Sequence, residues 1–246
     1  MVTMVSVSAS VISAVALLTA LLDPLPIEYA PPPPPDRGSP QTSDRGGASR
    51  GGCPPTELAL TALVPAVSAY GGDTLAAHPT VWVYQPYSLG PSDRVEFFLR
   101  SIDDQTEIYR TSQTPSAAPG LMQFTLPDTA PALEPGKAYD WYVLIFCNAE
   151  RRRVTPAYTQ GWVRRVELEI TSTTTDSVEQ SRLYAAQGLW YDAFNHLVIP
   201  GASPPDEPAE TARQNALARL LQAVGLTAFR GQPVTGCCDL DNLSSG

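Results

Sequence analysis

The sequence predicts an α+β protein, a disulfide-tied β-sandwich followed by a small helical module, and three observations carry that prediction. Short apolar or alternating runs, broken by Pro, Gly and Asp, recur from residue 58 to residue 170, as in a sandwich or barrel. After the polar hinge Thr171-Ser172-Thr173-Thr174-Thr175 the apolar period changes from two to 3.6. Cys53 stands just before the first apolar run and Cys147 just after the longest one.

Seven strands are expected, at 58–63, 80–84, 94–100, 107–110, 122–126, 138–146 and 161–170. Val95, Phe97 and Leu99 alternate with Arg94, Glu96 and Arg100, which separates a buried face from a wet one, with Phe98 as the exception. The run 139–146 is apolar on both faces, which predicts a central strand with something packed on its second side. Ahead of it, Leu133-Glu134-Pro135-Gly136-Lys137-Ala138-Tyr139 resembles a tyrosine corner, with the Tyr139 hydroxyl folded back to the loop backbone. That points to an immunoglobulin/fibronectin-III-like sandwich over residues 56–172.

The helical module is expected over 176–230. Gly188-Leu189-Trp190-Tyr191-Asp192-Ala193 has the Gly-x-aromatic-x-x-Ala spacing of a tetratricopeptide-like hairpin, with helices at 176–187 and 191–198. A third helix places Leu217, Leu220, Leu221 and Val224 on one face and stops at Gly225. One hairpin cannot bury its apolar face alone, so the module should dock on the sandwich.

Outside these regions the chain reads as export and linker sequence. Residues 1–22 carry no charge and include an apolar stretch, which predicts a signal peptide or an uncleaved anchor; no basic residue precedes the stretch. Residues 23–55, with five consecutive prolines and a Gly/Ser/Arg stretch, read as a disordered tether, and 231–246 as a flexible tail. In an exported chain Cys53 and Cys147 invite a disulfide, which would stabilise the fold by roughly 4 to 5 kcal/mol in the chain-entropy model. The adjacent Cys237 and Cys238 have no metal-site spacing.

Chemistry is sparse. The net charge of −9 disfavours nucleic acid. Gly47-Ala48-Ser49-Arg50-Gly51 matches a hydrolase elbow in letters only, because it lies in the tether rather than on a strand-to-helix turn. His78 and His196 read as surface or capping residues, and Arg151-Arg152-Arg153 and Arg164-Arg165 as solvated charge. No metal, dinucleotide or phosphate motif is present, so no enzyme and no cofactor is expected. Trp82, Tyr84 and Tyr87 are candidates for a stacking platform and Trp190 and Tyr191 for a partner surface, although aromatics on sandwich strands are more often core.

Five ordered motifs carry a family resemblance: Leu60-Thr61-Ala62-Leu63-Val64-Pro65; His78-Pro79-Thr80-Val81-Trp82-Val83-Tyr84-Gln85-Pro86-Tyr87; Tyr139-Asp140-Trp141-Tyr142; Gly161-Trp162-Val163-Arg164-Arg165; and Tyr184-Ala185-Ala186-Gln187-Gly188-Leu189-Trp190-Tyr191-Asp192-Ala193. Together they resemble the cyanobacterial family known as domain of unknown function 928, over about residues 46–226. The resemblance implies an exported bacterial protein with no assigned activity and no site residue to carry over. The expected role is therefore a non-enzymatic envelope module, periplasmic or extracellular, that binds a protein partner; the alternative is a small-ligand or polysaccharide-binding sandwich. Contact with the membrane is expected only through an uncleaved N-terminal anchor.

Overall fold

The structure is a computed structural model that describes residues 27–36, 52–149, 155–199 and 206–235. Among these residues eight strands form two sheets. β1 (Thr61–Ala62), β3 (Thr80–Gln85) and β6 (Gly120–Thr125) make a three-stranded sheet in the order β1-β3-β6. β2 (Gly71–Thr74), β4 (Arg94–Ser101), β5 (Glu107–Gln113), β7 (Ala138–Phe146) and β8 (Ala157–Arg165) make a five-stranded sheet ordered β2-β8-β7-β4-β5. All pairings are antiparallel except β2 with β8.

The alternation in β4 sends Val95, Phe97 and Leu99 inward, where Phe97 stacks on Phe124 of the facing sheet at 5.3 Å. Trp141, Val143 and Ile145 of β7 are fully buried beside them. At the seam between the sheets the backbone N–H of Ala62 donates to Thr159 Oγ1 at 2.9 Å. The expected hydrogen bond ahead of β7 is present: the Glu134 N–H donates to the Tyr139 hydroxyl at 3.0 Å. The disulfide joins Cys53 to Cys147 and closes a loop of sequence separation 94, pinning the chain ahead of β1 to the end of β7.

Three helices follow: α1 (Ser177–Ala186), α2 (Trp190–Val198) and α3 (Glu207–Ala223). Asp176 and Asp206 cap α1 and α3 by accepting from the N–H of Glu179 and Ala209, three residues on. The helices form a third layer over the outer side of the three-stranded sheet. Trp82 meets Phe194 of α2 edge-on at 6.0 Å, and Tyr84 meets Phe229, just beyond α3, at 5.1 Å. Every residue of β3 is buried because one side faces the sandwich core and the other faces helices.

Four expectations need correction. β2 lies in Gly71-Gly72-Asp73-Thr74, which has no apolar alternation to announce it; it forms because a glycine lets strand and indole touch, a Cβ on Gly71 falling 2.4 Å from the Trp162 ring. The last strand starts earlier than expected, at Ala157, and ends at Arg165 rather than 170. Residues 27–36, expected in a free tether, lie along the helical layer instead. Ile27 is buried, the Ala30 N–H donates to the Ala185 carbonyl at 3.0 Å, and Tyr29 meets Trp190 edge-on at 5.5 Å. Tyr29, Pro32 and Pro35 are the half-buried positions there, the spacing of a three-residue polyproline turn with one side inward. Residues 233–235, expected in the tail, extend the three-stranded sheet: the Leu121 N–H donates to the Pro233 carbonyl and the Thr235 N–H to the Leu121 carbonyl, each at 2.8 Å.

Candidate functional site

The five aromatic residues expected at a surface are all interior. Trp82, Tyr84, Tyr87, Trp190 and Tyr191 are each 7% exposed or less. Hydrogen bonds explain how Trp82, Trp190 and Tyr191 tolerate burial, since a buried indole or phenol requires a partner. Trp82 Nε1 donates to Asn195 Oδ1 at 2.6 Å, Trp190 Nε1 to the Leu63 carbonyl at 2.9 Å, and the Tyr191 hydroxyl to the Trp162 carbonyl at 2.6 Å. Tyr191 also accepts from Trp141 Nε1 at 2.9 Å, so α2 is fastened to both sheets through side chains. The platform expected for a sugar therefore has no open ring face, and Trp82, Tyr84, Trp190 and Tyr191 bind the helical layer to the sandwich.

A carboxylate contact secures the same junction. Asp192, in the first turn of α2, accepts from the Leu75 N–H at 3.2 Å. Burial raises its pKa above the usual carboxylate range against the opposing hydrogen bonds from Thr74 and Leu75. Ser181 of α1 donates to the Ala193 carbonyl at 2.8 Å, and the two helices come close there because the buried Ala193 carries only a methyl group.

The open aromatic surface lies on the other side of the molecule, on the outer face of the five-stranded sheet. Strand register places Arg110, Phe98, Tyr142 and Gln160 in one row across β5, β4, β7 and β8. The next row on that face is Ser112, Glu96, Leu144 and Tyr158. Phe98 and Tyr142 stack at 4.6 Å with their planes 10° apart. Guanidinium groups cover these rings: Arg110 lies 4.2 Å from the Phe98 centroid, Arg100 5.0 Å from Tyr142 and Arg94 4.2 Å from Phe146. Arg100 also donates to the Tyr142 hydroxyl at 2.6 Å.

Carboxylates hold the arginines in place. Glu96 reaches Arg94 at 3.1 Å and Arg110 at 3.2 Å, Glu107 reaches Arg110 at 2.7 Å, and Asp140 lies 3.9 Å from Arg100. The pairs with Glu96 and Glu107 add a further constraint on Arg110, whose pKa is raised chiefly by its hydrogen bond to Glu107. The three arginines and three carboxylates balance, which leaves this face near neutral on a chain of net charge −9. The second layer expected over 139–146 is thus a sheet of arginine side chains. Phe98, the one break in the alternation of β4, was the sequence signal for it, together with the outward Arg94, Glu96 and Arg100 of the same strand.

The remaining candidates separate from both places. His78 lies with Nε2 3.1 Å from the Ala130 carbonyl and Nδ1 3.5 Å from Asp128, and His196 stacks on Tyr184 at 5.1 Å, where burial lowers its pKa. Arg164, expected to be solvated, makes two 2.9 Å hydrogen bonds to Asp73, and Arg165 donates to the Leu133 carbonyl at 2.7 Å. Residues 1–22, Gly47-Ala48-Ser49-Arg50-Gly51, Arg151-Arg152-Arg153, Cys237 and Cys238 lie outside the described residues. Among the described residues no cluster of His, Cys, Asp or Glu could hold a metal, and no helix is long and apolar enough to cross a membrane.

The comparisons agree with the resemblance that the motifs suggest. No curated protein and no solved structure matches the chain. The family model described as Domain of Unknown Function (DUF928) matches residues 45–234, and its last residue, Val234, is the one bridged to Leu121 of β6. With well over half of its length matched, the chain belongs to the family Domain of Unknown Function (DUF928).

Proposed function

We propose that this protein is an exported, non-enzymatic module of the cell envelope that binds a protein partner through the outer face of its five-stranded sheet. The observation that carries the reading is the Phe98–Tyr142 stack beneath Arg100 and Arg110. Aromatic residues and arginine are enriched in the energetic centres of protein interfaces, and rings held by strand register bind with little loss of side-chain entropy. Balanced charge adds to this, because an acidic partner meets no excess of carboxylate there. Export is supported by the Cys53–Cys147 disulfide, since such bonds persist in oxidising compartments.

The finer architecture belongs to the same proposal. An immunoglobulin-like sandwich is supported by the order β1-β3-β6 against β2-β8-β7-β4-β5 and by the bond from Glu134 to Tyr139. A tetratricopeptide-like hairpin is supported by Gly188 at φ 77° between α1 and α2 and by the buried Ala193. The test is cross-linked capture from envelope with the wild-type protein and with a Phe98→Ala/Tyr142→Ala variant whose near-UV circular dichroism is unchanged. The proposal expects a defined protein with the wild type and its loss with the variant; the same proteins with both would overturn it.

A further inference from the structure

A cleft of about 330 Å³ opens between α3 and the segment that leaves it, far from the aromatic–arginine face. Its floor is apolar and already buried: Leu121 of β6, Val198 at the end of α2 and Phe229. Leu217 of α3 forms one wall and Val234 the opposite lip, where it is 55% exposed.

The far wall is fixed in place rather than laid over the opening. Two backbone hydrogen bonds to Leu121 hold residues 233–235, and the approach is so close that a Cβ on Gly120 would stand 2.4 Å from the Pro233 carbonyl oxygen. Walls from a strand, two helices and a bonded segment make a preformed apolar recess, at the small end of the ~300–1,000 Å³ range of ligand clefts.

Charge at the rim selects the ligand. Arg213 is occupied by Glu210, at 2.6 and 2.9 Å, and by the Leu197 carbonyl. Arg230, also at the rim, has no ion pair or hydrogen bond from its side chain among the described residues. None of the described residues lining the cleft is acidic. A guanidinium with no carboxylate partner among the described residues, beside an apolar recess on a molecule of net charge −9, is complementary to a small molecule with an apolar body and one anionic head.

We propose that this cleft is a binding site for a single-chain anionic amphiphile, such as a medium-chain carboxylate, with the carboxylate on Arg230 and the chain against Leu121, Leu217 and Phe229. The volume admits one such chain and is too small for a two-chain lipid. This proposal is independent of the partner surface on the five-stranded sheet.

Isothermal titration of the full chain with decanoate tests it. Saturable one-to-one binding is expected, weakened about ten- to hundredfold by Arg230→Ala and abolished by Leu217→Trp, which fills the recess. Decyltrimethylammonium, with the same body and the opposite charge, should not compete. Arg230→Ala alters a rim side chain only, so it keeps the test decisive if Leu217→Trp does not fold. No saturable heat, equal binding of the cationic amphiphile, or wild-type affinity in Arg230→Ala would overturn the proposal. So would binding that appears only after residues 236–246 are removed, since the chain itself would then be the occupant.

Discussion

The two outward faces of the sandwich both carry aromatic residues and protect them by opposite means. On the three-stranded sheet, Trp82, Tyr84 and Leu121 are covered by a layer of helices, and hydrogen bonds such as Trp82 to Asn195 satisfy the polar atoms. On the five-stranded sheet, Phe98, Tyr142 and Phe146 are covered by arginines from neighbouring strands, and carboxylates hold those arginines. A helical layer removes a face from solvent permanently. A guanidinium layer leaves it available, because each arginine can exchange one aromatic or carboxylate contact for another as a partner docks.

This contrast predicts a graded series of responses. The largest effect falls on the support common to both faces: replacing Cys53 and Cys147 by Ala should lower stability by roughly 4 to 5 kcal/mol in denaturant unfolding, from the loop-closure term alone. Trp82→Ala should cost about 3 to 5 kcal/mol, because it opens a cavity under α2 and leaves Asn195 Oδ1 without its donor. Gly188→Ala should cost about 1 to 2 kcal/mol from its left-handed backbone. It should also detach the proline segment, since the new Cβ would stand 2.7 Å from the Ala30 carbonyl oxygen; increased proteolysis near residues 27–36 reads this out. Phe98→Ala on the arginine-covered face should cost only about 1 kcal/mol, the worth of one aromatic pair. A loss at Phe98 as large as that at Trp82 would mean that the two faces do not differ.

The smallest effect is one of pH. Burial raises the pKa of Asp192, so its neutral form favours the fold: that contribution is fully present below the unfolded value of about 3.9 and is lost as pH rises through the folded pKa. Asp192→Asn retains an oxygen for the Leu75 N–H and carries no charge to desolvate. Its stability relative to wild type should therefore improve as pH is raised from about 3.9 towards neutrality; an unchanged difference across that range would contradict the assignment.

How much of this was legible in the sequence follows from the same contrast. Period-two alternation found β4, the Leu133–Tyr139 motif found the bond at Tyr139, and the placement of Cys53 and Cys147 at the ends of the strand region found the disulfide. Which aromatic face lies inside is a tertiary fact. Trp82 and Tyr84 were candidates for an open platform although strand aromatics are more often core, and Tyr142 looked covered, yet the helical layer sits over the first pair and only arginines lie over the other. β2 escaped notice because its pairing partner is 91 residues away and its glycines serve close approach rather than a turn. The proline segment escaped for a different reason. Its composition fits a spacer equally well, and only the buried Ile27 and the bond from Ala30 to Ala185 distinguish a strap from a tether. Deleting residues 176–230 to search for a lost partner would also strip a layer from Trp82 and Tyr84, so substitutions on the outer sheet face are the cleaner perturbation.

Hydroxyl-radical footprinting of the native protein, with oxidation quantified residue by residue, tests the contrast between the faces most directly. The account predicts modification at Tyr142 and Tyr158, and protection of Trp82, Tyr84, Trp190 and Tyr191 until the protein unfolds. Oxidation of Trp82 and Tyr84 in the native state as fast as that of Tyr142 would contradict it.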